Sequence, residues 1–380
     1  MATFKEFTSS DITTRRGVLA RLFEVPQSDI SSSQTRKSYQ VFVTGGVGPG
    51  VTSSLWHTVF DQDYTRQTAN PVFDLTFGLA ISSSLVQTGS LLYVDTSTNK
   101  HYFSSQSLMM REKTEIYRAH AQSLLGDASS EFQLVSGATT SNVREALFID
   151  VKRLFMGDQV KRGTFSINMF QSTSFFTTLA TGQKTYTDQN ATQNIESSYG
   201  GQVSTIVDSN NTSYPVGLMY NDKGIAVFDI SRVFDVNTNL SGTIDGMCTG
   251  GTLTFTGSLN KLMVSGSVDD VLDHICFTRF SNSSGTAMAF ESNAYMNTTQ
   301  FFCLLGPDEF NYSSNPTFTD STGRIVVIDP GQEETQRSFT FVTGIGLYDA
   351  HGNCLAVGKP SRPIFKDDQR YVPIRIKLDF

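Results

Sequence analysis

Hydrophobic positions along this chain recur mostly with a period of two, in short runs punctuated by Gly, Asn, Asp and Pro. That is the pattern of half-buried strands joined by turns. The C-terminal end shows it best. Phe339 to Tyr348 is an aromatic and β-branched run, Asp349-Ala350-His351-Gly352-Asn353 supplies turn residues, and Cys354 to Gly358 returns, so residues 339–358 read as a β-hairpin. From Val372, Ile374, Ile376, Leu378 and Phe380 alternate with Arg375, Lys377 and Asp379, which predicts a final strand with one apolar and one charged face. Strands are also predicted at 38–43, 70–79, 147–152, 163–169, 252–256, 275–280 and 325–328, and a second hairpin at 215–230. The clearest helix runs from about Ser107 to Leu125, with Ile116, Tyr117, Ala121, Leu124 and Leu125 among charged residues and Gly126 as its stop.

The fold class that follows is mainly β (α+β), built from antiparallel hairpins and β-sandwich-like domains with one or two helices. Five segments are expected. Residues 1–35 form an N-terminal arm, for which a short amphipathic helix ending before Pro26 and an extended arm compete; Gly17 and the short apolar face favour the arm. Residues 36–172 form an α+β domain, 173–234 a polar loop plus hairpin, 235–306 a Ser/Thr/Gly-rich β-domain or insertion, and 307–380 the C-terminal hairpin and final strand. Within the third segment, 171–213 reads as a long loop or irregular β-excursion.

Composition adds that the core is aromatic. The chain has 380 residues, with 29 Phe and 13 Tyr against one Trp, and only 17% are charged. A net charge of −7 argues against a general nucleic-acid binder. No segment is apolar enough to span a membrane and no signal-peptide pattern opens the chain, so synthesis in a cytoplasm is expected. Cys248, Cys276, Cys303 and Cys354 lack paired spacing and read as free, mostly buried thiols.

Chemistry-bearing patterns are weak throughout. The run Gly45-Gly46-Val47-Gly48-Pro49-Gly50 follows a strand, yet no Gly-Lys-Ser/Thr follows and Pro49 removes a donor, so a plain loop is favoured over a phosphate cradle. The five histidines are scattered, and His120 beside the apolar stripe of its helix reads as a core or interface residue. Asp269-Asp270-Val271-Leu272-Asp273-His274 is the nearest approach to a cation site, but a charged loop or helix turn is favoured because no glycine breaks it. No catalytic, cofactor-binding or metal residue is assigned, and the chain is expected not to be an enzyme. Candidate interface residues are Arg15, Arg16, Arg21, Lys152, Arg153, Lys161, Arg162, Arg375 and Lys377, in the arm, in the 147–169 region and in the terminal strand.

Several segments resemble virion structural proteins of large contractile-tailed, T4-like bacteriophages. These are Gln67 to Asp74, Leu124 to Asp127, Ala146 to Ile149 through Gly163 to Ser166, Pro215 to Tyr220 through Gly224 to Val227, Phe310 to Thr317, and Thr343 to Asp349 through Leu355 to Lys359 with the alternating terminus. The likeness runs from about residue 67 to 380 and is less clear over 1–35 and 235–300. It rests on packing and turn motifs and identifies no active site. It implies a virion protein of the tail, specifically a wedge-type baseplate subunit, contacting other virion proteins in multiple copies, without cofactor or direct nucleic-acid contact. A receptor- or carbohydrate-binding tail module, using tyrosines such as Tyr186 and Tyr199, is the alternative, and a head or neck component a third reading.

Overall fold

The computed structural model describes residues 4–43, 51–89, 92–95, 97, 100–103, 105–137, 139–171, 182–191, 196–237, 239–245, 252–280 and 285–379. The glycine-rich stretch 45–50, Phe175, Phe176 and Cys248 lie outside them. The fold is mainly β with helices, and its chief feature is one large antiparallel sheet. Its strands are β1 (Ile12–Pro26), β2 (Arg36–Val43), β3 (Val51–Phe60), β4 (Pro71–Leu79), β5 (Glu145–Val151), β6 (Ser166–Phe170), β7 (Gln183–Thr187), β8 (Gly201–Asp208), β9 (Asn211–Tyr220), β10 (Ile225–Asp229) and β11 (Thr286–Leu305). Their order across the sheet is β1-β11-β6-β7-β8-β9-β10-β5-β4-β3-β2. The chain divides into two compact units, residues 1–18 with 295–380, and residues 19–294; β1 and β11 contribute residues to both.

In the larger unit the central strands are buried on both faces, and alternation decides which side chain goes where. Leu147 and Ile149 of β5 join one apolar cluster, while Ala146 and Phe148 join the other. Helix α1 (Ser105–Leu125) covers the Phe148 side through Tyr117, Ala121 and Leu124, spaced by four and three as one helical stripe requires. It lies so close to β4 that a Cβ on Gly78 would meet the Tyr117 nitrogen at 2.8 Å. The Tyr117 hydroxyl donates to the Val143 carbonyl at 2.7 Å and accepts from the Phe132 amide at 3.1 Å, tying the helix to the hairpin 132–143. Gly126, with φ at +84°, ends the helix in the left-handed conformation expected of its type. His120 stacks on Phe148 with ring centres 3.9 Å apart, a packing residue as the sequence suggests.

Two helices cover the other face, α2 (Leu259–Ser265) and α3 (Val268–Arg279), through Leu259, Leu262, Val268, Val271, Leu272 and Ile275. Here the strand expected at 275–280 is corrected to helix. Val268, Val271, Leu272 and Ile275 follow helical spacing, and Ser267 caps the start reciprocally with Asp270. The β-rich composition of Ile275 to Phe280 is overridden by that packing. Lys113 of α1 is fully buried, and its ammonium donates to the Met263 and Gly266 carbonyls, each at 2.6 Å, at the end of α2. Burial pulls its pKa down to about 8.

Several other expectations meet the structure differently. The stretch 171–213 contains regular strands, since β7 and β8 fill the sheet and residues 196–198 add a short rung. The segment 235–306, expected as a β-domain or insertion, supplies the paired strands 239–245 and 252–258, α2, α3 and the sheet strand β11. The arm is an extended strand, β1, with a short helix after Pro26.

In the smaller unit, residues 12–18 of β1 and 295–305 of β11 are joined by β12 (Phe339–Val342), β13 (Ile345–Tyr348), β14 (Cys354–Gly358), β15 (Ile364–Asp367) and β16 (Val372–Asp379). β16 pairs with β11 through Phe301↔Ile376 and Cys303↔Ile374, so the expected final strand is present. The hairpin expected over 339–358 shrinks to β13–β14, because β12 pairs with β15 instead. Residues 325–328 make only a single bridge, Thr319↔Ile325. Of the thiols described, Cys276 is buried, Cys303 partly so, and Cys354 exposed, so burial is not the rule expected.

Two outcomes test this account of the larger unit. Gly78→Val should cost at least about 3 kcal/mol in denaturant unfolding, because backbone atoms of α1 leave no room for the side chain. Lys113 holds its proton more weakly folded than unfolded, so between about pH 8 and 10.5 the unfolded state binds more protons and stability rises with pH. Relative to Lys113→Met, the wild type should gain about 3 kcal/mol across that window, measured by urea unfolding at each pH.

Candidate functional site

The acidic run singled out in the sequence forms the first turns of α3, and its members part company there. Asp270 is spent on the helix cap. Asp269 and Asp273, four residues apart, share a face that meets β2 and β3. His57 Nε2 lies 2.5 Å from Asp269 Oδ1, His57 Nδ1 lies 3.8 Å from Asp273 Oδ1, and Arg36 Nη2 donates to Asp273 Oδ1 at 3.0 Å. All four side chains are buried. His274, the fourth residue of the sequence cluster, faces elsewhere: burial and the nearby Arg279 push its pKa well below the usual histidine value. Cys276 on the same helix is an inert thiol, its pKa raised by burial.

His57, Asp269 and Asp273 are the one group among the described residues whose ligand atoms could converge on a metal ion. The arrangement argues for an ion-pair network instead. The imidazole presents opposite nitrogens to the two carboxylates, whereas one ion can engage only one ring nitrogen. Arg36 already gives Asp273 a fixed positive partner, and its ring-stacked position over Phe277 at 4.5 Å leaves no room to withdraw. Sequence reasoning could not find Arg36 or His57, since they come from strands more than 200 residues away from α3.

Two shallow depressions lie on the larger unit. One of about 670 Å³ is lined by Glu131, Gln133, Asn142, Arg144, Ser197 and Ser198 among others. Asn142 donates to Glu131 there and Ser198 to the Leu124 carbonyl, and among the described residues of the lining no hydrogen bond pairs a nucleophile with a base. Tyr186, expected as an exposed ring for sugar stacking, is corrected to a core residue: it is 1% exposed and its hydroxyl donates to the Val233 carbonyl at 3.1 Å. Tyr199 is 75% exposed.

The basic residues proposed as an interface are divided between the two units. In the larger unit, Lys152 pairs with Asp74, Lys161 with Glu291 at 2.5 Å, and Arg153 reaches Asp158 at 3.8 Å; Arg162 is half-buried and Arg21 exposed on β1. β5, at the heart of the 147–169 region, lies mid-sheet and buried, so it offers no surface. In the smaller unit, Arg375 donates to Gln300 at 2.6 Å and Lys377 pairs with Asp379 at 2.8 Å, both on β16. Arg15 and Arg16 are exposed on β1, with Arg16 stacked 3.7 Å above Tyr295.

What distinguishes the smaller unit is where its apolar residues sit. Among its described residues, five large apolar side chains are buried and fourteen are exposed, led by Val357, Leu355 and Phe4. Phe339, Phe341 and Phe365 form a cluster with ring centres 5.4 to 5.8 Å apart, of which Phe341 is 53% exposed. The larger unit has the opposite distribution. Exposed apolar area on this scale is unfavourable in water.

No protein-family model matches the chain, and neither a curated protein nor a solved structure matches it. Among the described residues, no helix is long and apolar enough to cross a membrane.

Removing one member of the buried network leaves its partner charged and alone. Asp273→Ala should therefore lower unfolding free energy by about 3 to 5 kcal/mol in urea titration. Zinc or calcium added to the wild type should leave its melting temperature unchanged; a saturable rise with either ion would turn the network into a metal site.

Proposed function

We propose that the chain is a structural subunit of a contractile bacteriophage tail, placed in the baseplate as a wedge component. The observation that carries the assembly part of this reading is the outward apolar surface of the smaller unit, with Leu355 and Val357 68% and 71% exposed on the edge strand β14. A free monomer gains nothing by presenting such residues to water, whereas a subunit recovers their burial when a neighbour docks, at about 25 cal/mol per Å² of apolar area before the costs of association. The phage part rests on the sequence resemblance, several of whose motifs, Phe310 to Thr317 and Thr343 to Lys359, fall in this same unit. Its function in this reading is mechanical: the larger unit supplies a rigid sheet and the smaller one supplies contacts. Neither the buried network nor the depressions contribute chemistry.

The double variant Leu355→Asp/Val357→Asp should leave the thermal unfolding of the isolated chain within 2 °C of wild type, because neither side chain is packed. Its incorporation into particles, measured by quantitative mass spectrometry of purified virions, should fall at least about tenfold, the effect of losing some 1.4 kcal/mol or more at an interface. Cryo-electron microscopy of the intact particle should show the chain at the distal end of the tail. A chain that stays monomeric and is absent from particles refutes the reading.

A further inference from the structure

In the smaller unit β11 has a neighbour on each side, β1 and β16, and the two outer strands end the sheet in different ways. β16 is a guarded edge. Pro373 removes a donor, Arg375 is held by Gln300, and Lys377 is held by Asp379. Residues 12–18 of β1 carry charge but none of these other guards. Six of the seven are exposed, among them Ile12 at 39% and Val18 at 56%, and no proline interrupts them. Among the described residues this strand pairs only with β11, so its outer main-chain groups face no ladder partner.

The charges on this stretch are one-sided. Arg15 and Arg16 are adjacent, no carboxylate stands between residues 12 and 18, and among the described residues neither arginine takes part in an ion pair. Adjacent strand residues project to opposite faces, so Arg15 and Arg16 put one cation on each face of this outer strand, with Arg16 lying over Tyr295 of β11. Two cations so placed repel a basic strand and a second copy of the same strand, but they complement an acidic one. We propose that residues 12–18 of β1 form a strand-addition site for an extended acidic segment of a neighbouring chain, one with consecutive carboxylates opposite Arg15 and Arg16 and aliphatic residues on either side. The proposal deepens the assembly reading above and rests on it for the origin of that segment. Main-chain hydrogen bonds supply affinity, and the guanidinium–carboxylate pairs select the segment and fix its register.

The test uses the purified full chain and a fluorescein-labelled peptide, Val-Thr-Val-Asp-Glu-Val-Thr-Val, in an anisotropy titration, with an Asn-Gln version as control. The acidic peptide should bind at least tenfold more tightly than the control, and the double variant Arg15→Glu/Arg16→Glu should remove that preference. Unchanged circular dichroism and melting temperature would show the variant folded. Equal affinity for both peptides, or no binding of the acidic one, overturns the site. A concentration-dependent dimer in sedimentation that the same variant abolishes would assign the edge to a second copy and also overturn it. Peptide binding by a chain that is absent from virions would keep the site and remove the tail reading, so the two failures are separable.

Discussion

The larger unit depends on one constraint: its central strands are buried on both faces, and both faces must be covered. Leu147 and Ile149 point to one cluster while Ala146 and Phe148 point to the other, so a register slip of one residue would exchange the two sets. Helix α1 answers one face and the pair α2–α3 the other. The close approach at Gly78 fixes how near α1 can come, and the Tyr117 hydroxyl fixes what it holds next to it.

Polar groups inside this unit then serve as connectors. Lys113 joins α1 to the carbonyl end of α2, where a cation meets the negative end of a helix. Arg36, His57, Asp269 and Asp273 join α3 to β2 and β3. A network of this kind gives little net stability over an apolar core but penalises a placement of α3 that would part Asp269 and Asp273 from His57 and Arg36. Specificity of packing is its physical role.

Much of the β framework was legible because alternation is a local signal. β4 and β16 follow runs that a period of two marks out, β5 and β9 with β10 follow short continuous apolar runs bounded by turn residues, and α1 follows a helical stripe closed by Gly126. What was not legible depends on distant partners. Ile275 to Phe280 looks like a strand by composition, and only its contact with the sheet makes helical spacing decisive. β12 leaves Ile345–Gly358 to pair with β15, a choice between equally extended segments that no local residue records. The buried network was half visible: Asp269 and Asp273 stood out, whereas Arg36 and His57 carried no sign of where they would go. Of the basic residues proposed as contacts, Lys152, Lys161 and Lys377 pair with carboxylates within the chain, which their places in the sequence did not show.

The outward apolar residues of the smaller unit also set a timetable. Val357 and Leu355 on an uncharged edge strand are as available to a stray extended chain as to the right neighbour. In the assembly reading proposed above, the interval between synthesis and docking is the hazardous stage, and supply of the chain would have to keep step with that of its neighbours. In that reading, stoichiometric supply is as much a condition of staying dispersed as any residue in the sequence.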